Sequence, residues 1–148
     1  MTYNKIRHLK LLERFLIYQN QGMDFYTENR NEYLELLGYN CIVSDHIFYK
    51  NKQQFILLME KYINNRIFTH QFELAFSKIW FEIIDLCDNF ETDLEELKHF
   101  VPDYKSNGFS RFITAVFRQF EVLEDGDCAE EEVKDYVQKT LREIQPYL

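Results

Sequence analysis

GFSRFITAVFRQF, residues 108–120, followed by EVLEDGDCAEEEVKD, residues 121–135, is the stretch that decides the fold. In the first part Phe109, Phe112, Ile113, Val116, Phe117 and Phe120 recur every three to four positions, the period of a helix with one apolar stripe. In the second part Glu121, Glu124, Asp125, Asp127, Glu130, Glu131, Glu132 and Asp135 stand against a single base, Lys134. A buried helix therefore runs directly into a concentrated negative surface, with no catalytic motif beside it.

The same period extends to both sides. After the acidic turn, Val133, Tyr136, Val137, Leu141 and Ile144 predict a last helix over about residues 129–145. Asp127 and Glu130 stand at its start in capping-box spacing, and an acidic first turn complements the helix dipole. Upstream, Thr92-Asp93-Leu94-Glu95 also matches a capping box and predicts a short helix to about Phe100, ended by Val101-Pro102. Ser106 or Ser110 is expected to open the Phe-rich helix. Thr69 is expected to cap a helix to about Asp88, with Phe72, Phe76, Ile79, Trp80, Ile83, Ile84 and Cys87 apolar and Phe81 off the stripe. Residues 52–65 predict another helix through Phe55, Ile56, Met59, Tyr62 and Ile63.

Towards the N-terminus the pattern predicts helices over 4–20 (Ile6, Leu9, Leu12, Phe15 and Leu16) and over about 24–37. In the second, Tyr26, Tyr33, Leu34 and Leu37 point inward and Gly38 sits as the terminating glycine. Residues 39–50 are the least periodic and are expected as a loop, with a weak strand candidate over 41–49. The fold class that follows is all-α: an antiparallel bundle with a four-helix core over 52–148 and an additional N-terminal helical hairpin over 1–50, in a single domain.

Whole-chain properties fit this reading. A chain of 148 residues suits one domain large enough to bury a core without a disulfide or metal staple. Only 4 Gly and 2 Pro favour long helices with few turns. The net charge of −8 argues against nucleic acid and anionic membranes as partners, because both are held by clustered Lys and Arg. Lys5, Arg7, Lys10 and Arg14 make the first helix locally basic, read as a solvated face. Cys41, Cys87 and Cys128 are far apart and odd in number, which fits a reduced compartment. No signal peptide or membrane span is expected. Richness in Asn, Lys, Ile, Tyr and Phe, which have AT-rich codons, fits a low-GC bacterium or an organelle genome. The expected location is thus the cytoplasm or an organelle stroma or matrix.

Motifs for chemistry are missing. His8, His46, His70 and His99 show no metal-ligand spacing and are expected as surface or cap residues. Glu124-Asp125-Gly126-Asp127 does not fit a calcium loop and reads as an inter-helix turn. Cys41 and His46 share a segment without further marks of nucleophilic catalysis. No phosphate-cradling or nucleophile-elbow motif occurs. The expectation is a non-enzymatic binding protein without cofactor or metal. Its partner-binding residues are Glu121, Glu124, Asp125, Asp127, Glu130, Glu131 and Asp135, and its partner is a basic protein surface.

Two segments carry a family resemblance. Leu58–Trp80 has a helix, a short polar turn, Ile-x-x-x-x-Phe at Ile67–Phe72 and a second helix ending in Ala75-Phe76-Ser77-Lys78-Ile79-Trp80. Phe109–Ile144 has an aromatic helix, an acidic turn and an acidic-capped last helix. Together they resemble the colicin D immunity family of bacterial self-protective proteins over about residues 52–148; residues 1–50 lie outside the resemblance. It implies an antiparallel four-helix bundle that inhibits a tRNA-cleaving toxin by covering a basic active site. Glu121, Glu124, Asp125, Glu130 and Glu131 would then mimic RNA phosphates. The alternative, motivated by the high aromatic content, is a structural subunit or assembly factor of a larger complex.

Overall fold

Eight α-helices and no strand make up the computed structural model, which describes all residues, 1–148. They are α1 (Lys5–Asn20), α2 (Phe25–Glu28), α3 (Arg30–Lys50), α4 (Lys52–Ile63), α5 (Thr69–Thr92), α6 (Leu94–His99), α7 (Phe109–Glu124) and α8 (Glu130–Glu143). Short 3-10 turns follow α6, at Tyr104–Ser106, and α8, at Gln145–Tyr147. The all-α class read from the sequence is the observed one. α4 packs on α5 and α8, α5 on α7, and α7 on α8; α3 lies across α5 and α7, with α1, α2 and α6 outside it.

The N-terminal segment departs most from expectation. Residues 39–50 are not a loop or strand: α3 runs unbroken through Gly38 for 21 residues. It supplies Leu36, Tyr39, Val43, Ile47, Phe48 and Tyr49 to the same contiguous core as α4–α8. A helix covered on several sides is apolar around much of its circumference and shows no single stripe. Gly38 does not end a helix. The Met1 sulfur lies 2.7 Å from where its Cβ would stand, so glycine here permits a close approach of the chain start.

Tyr26, Leu34 and Leu37 point outward rather than inward, and Ile6 is 74% exposed. The basic residues of α1 are not merely solvated. Arg7 forms a two-pronged pair with Glu35 of α3 at 2.9 and 3.0 Å, Arg14 pairs with Glu32, and Lys5 donates to the Lys98 carbonyl at 2.9 Å. His8 is fully buried, not a surface residue. It is hydrogen-bonded to Tyr3 Oη at 2.9 Å and Asn40 Oδ1 at 3.3 Å, and stacks on Tyr39.

Helix starts also differ in their caps. Asp93, not Thr92, caps α6 by accepting from the Glu95 and Glu96 amides, while the Thr92 hydroxyl donates back into α5. Thr69 is the first residue of α5 and is buried against Tyr62 at 2.9 Å; the Gln71 side chain closes that start by accepting from the Phe68 amide. α7 starts after Gly108. Its free amides are taken by Asp45 of α3, not by Ser106 or by Ser110 alone. α8 starts after Ala129, whose amide donates to Glu132 at 3.2 Å, so Asp127 and Glu130 form no capping box.

The acidic turn closes α7 by a Schellman arrangement. Gly126 N donates to Leu123 O and Asp127 N to Val122 O, each at 3.0 Å. Gly126 has φ 76°, the left-handed conformation that this arrangement requires and that glycine adopts without a Cβ penalty.

Candidate functional site: an acidic and aromatic face

At the edge of the core, the α5–α7 pair carries the partly buried Trp80 and Phe117 and the exposed Phe81. The two helices run antiparallel: Phe72 and Phe76 meet Phe120 at ring distances of 5.6 Å, and further along Trp80 meets Phe117. Trp80 and Phe117 stack at 4.0 Å with an interplanar angle of 4°. The indole N–H donates to Thr114 Oγ1 at 3.3 Å, which fixes the ring. Phe81 stands edge-on to both rings, at 5.2 and 5.5 Å, and is 55% exposed. The residue that fell off the apolar stripe thus completes a surface aromatic cluster.

Acids continue the face. Glu121 and Glu124 lie one and two turns beyond Phe117 on α7, and the facing residue of α5 is Glu73. Burial and the adjacent Glu124 carboxyl push Glu73 up to about 7. Two like charges in one partly desolvated place disfavour double ionisation. Glu73 is a lone acid between Phe72 and Leu74, and nothing in the sequence marks it as part of the acidic block.

Glu121, Glu124, Asp125, Asp127, Glu130, Glu131 and Asp135 are all exposed. None takes part in any of the five ion pairs of the molecule. Lys134, the only base of the block, hydrogen-bonds Asn65, lies 5.1 Å from the Tyr62 ring centre and forms no ion pair. The tertiary structure divides the block. Glu121 and Glu124 extend the aromatic face with Glu73, and Asp125 follows them at the end of α7. Glu130 and Glu131 line a separate cleft of about 330 Å³ with Tyr62, Thr69 and Lys134. Asp127 stays in the turn, and Asp135 belongs to neither group.

Asp93 and Glu95, acids that follow α5, have structural roles. Asp93 caps α6 and Glu95 pairs with Lys98 at 2.8 Å. Cys41 is exposed on α3, with its thiol pushed up by desolvation and by Asp45 and Glu91, opposite to the direction of an activated nucleophile. His46 accepts from the Asp103 amide at 3.1 Å and is held down by desolvation and Lys50, so it serves to anchor the segment before α7. No group of three or more His, Cys, Asp or Glu is arranged to hold a metal ion, and no helix is long and apolar enough to cross a membrane.

The chain is an all-α helical bundle bearing an acidic and aromatic face. Compared with known protein families, curated proteins and solved structures, it gives no match to any of the three.

Proposed function

We propose that this is a non-enzymatic binding protein whose α5–α7 face covers a basic surface on another protein. The observation that carries the reading is the adjacency of the Trp80–Phe117–Phe81 cluster to Glu121 and Glu124, carboxylates without an internal counter-charge. Aromatic side chains supply the anchoring energy of most interfaces, and surrounding charge sets encounter rate and specificity. In the immunity-type form of this reading, drawn from the resemblance of residues 52–148 to the colicin D immunity family, the partner is a tRNA-cleaving toxin domain. Glu121, Glu124 and Asp125 then occupy the places of RNA phosphates.

Titration of a tRNA-cleaving toxin domain of the colicin D type tests this directly. The expected result is stoichiometric inhibition, with affinity falling steeply as salt rises. The combined reversal Glu121→Lys, Glu124→Lys and Asp125→Lys is expected to weaken binding at least about tenfold. Binding indifferent to salt and to this reversal would overturn the charged-face mechanism.

A second reading, a subunit of a larger assembly, is favoured by the apolar side chains Phe68, Leu74 and Leu57, with Phe68 81% exposed. Co-purification separates the two: a stable multi-protein assembly supports the subunit, and a single basic partner supports the inhibitor.

A further inference from the structure

Away from the acidic and aromatic face, a cavity of about 290 Å³ lies between α1, α3 and the C-terminal turns of α5. Phe15 of α1 and Tyr33 and Leu36 of α3 give it apolar walls, and Asp88 and Glu91 of α5 give it two carboxyls. The carboxyls are three residues apart on one helix and therefore project from the same side. No Lys, Arg or His lines the cavity, and neither carboxyl takes part in an ion pair. The same end of α5 carries the negative pole of a 24-residue helix. Two carboxyls, a negative helix end and aromatic walls all favour a positive charge, and the protein provides none.

We propose that this cavity binds an ammonium group on a short aliphatic stem, its charge held by Asp88 and Glu91 and its stem laid against Phe15, Tyr33 and Leu36. The apolar walls suit such a cation better than a hard metal ion, which needs six or more oxygen ligands. Aromatic rings attract ammonium groups through their negative faces. Burial and Asp88 push Glu91 up to about 7. The other ionisable groups around Glu91 are the Tyr33 phenol in the cavity wall, the Cys41 thiol of α3 and the Cys87 thiol of α5, both thiols being pushed up in part by Glu91; Phe15 and Gln19 of α1 are uncharged. A bound cation removes the cost of ionising Glu91, so binding is coupled to release of its proton.

The ammonium could belong to a free alkylamine or to a lysine side chain, and one experiment separates the sources. The intact protein is titrated with n-butylammonium, with n-butanol and with Nα-acetyl-lysine methylamide at constant ionic strength, and backbone amide NMR shifts are followed. Butylammonium is expected to give saturable shifts centred on Asn40, Asp88 and Glu91. Its binding is expected to be up to about ninefold tighter at pH 8 than at pH 6, because a carboxyl titrating at about 7 goes from about one-tenth to about nine-tenths ionised. Glu91→Gln is expected to weaken it at least about tenfold at pH 8, and Asp88→Asn by a smaller factor, with the remaining amide spectrum unchanged. Tighter binding of the lysine amide than of butylammonium supports the site with a protein lysine as its ligand; equal or weaker binding supports it with a free amine. Saturable binding of butanol at the same strength, butylammonium shifts that do not saturate, or unaltered affinity in Glu91→Gln would each overturn the proposal.

Discussion

Asp45 and Ser110, 65 positions apart in sequence, are joined twice: Asp45 Oδ1 accepts from the Ser110 amide at 3.0 Å and from its hydroxyl at 2.6 Å. Asp45 Oδ2 accepts from the Gly108 amide at 2.8 Å. One carboxylate of α3 thereby satisfies partly buried free amides that start α7 and adds a negative charge at the positive end of that helix.

Asp45→Ala is therefore expected to destabilise the fold by about 2 kcal/mol or more, since it removes a cap and leaves partly buried donors without an acceptor. Asp45→Asn, which keeps one acceptor oxygen, is expected to cost less. Urea unfolding of the two variants checks both the size and the order.

Phe81→Ala separates binding from stability. Phe81 is more than half exposed and touches Trp80 and Phe117 only by its edge. Its removal is expected to change unfolding free energy by less than about 1 kcal/mol. Partner affinity is expected to fall at least about tenfold, as for an aromatic anchor. Calorimetric titration beside thermal unfolding reads the two effects independently.

The response of stability to pH has a definite sign. Glu73 and Glu91 both titrate at about 7 in the folded protein, whereas an unfolded glutamate titrates at about 4.3. Between these values the folded state holds more protons, so their contribution is full below the unfolded value and is lost as pH rises through about 7. Glu73→Gln with Glu91→Gln is expected to raise Tm at pH 8 and to leave it nearly unchanged at pH 4. Differential scanning calorimetry over that range is the check.

His8 acts with the opposite sign. Desolvation holds its pKa below the ordinary 6.5. Its contribution is present above that unfolded value and is lost as pH falls through the lower folded one. Because Asn40 Oδ1 accepts only, Nε2 carries the proton and Nδ1 accepts from the Tyr3 hydroxyl. Tyr3→Phe leaves Nδ1 buried without a donor and is expected to cost about 1–2 kcal/mol. NMR titration of the His8 ring follows the protonation, and urea unfolding the cost.

Gly38→Ala is expected to stabilise the protein by about 0.5 kcal/mol. The site is a helix interior with ordinary helical backbone, where alanine is favoured over glycine by about 1 kcal/mol. The only close obstacle is the end of the flexible Met1 side chain, which is 72% exposed. Chemical denaturation with intact and Met1-truncated chains shows whether the sulfur moves aside.

Local periodicity determined most of the bundle. The stripes Phe55–Tyr62, Phe72–Cys87, Phe109–Phe120 and Val133–Ile144 face the core because each of these helices also keeps a solvent-facing polar side, so its buried residues fall on one arc. The second half of α3, residues 39–50, was not legible: it is covered from several sides, and its polar residues Asp45 and His46 are satisfied by partners about sixty positions away. The exposed acids of residues 121–135 were legible as charge, but their grouping was not.

The sequence by itself determined the helical class, the acidic character and the Gly126 turn, all of which depend on neighbours within a few residues. Only the tertiary structure decided that Glu73 joins Glu124, that Phe81 completes the Trp80–Phe117 cluster, and that Asp88 and Glu91 share a cavity with Phe15 and Tyr33. These relationships join separate helices, and the register of one helix against another is set by packing across the whole core rather than by the order of residues in either.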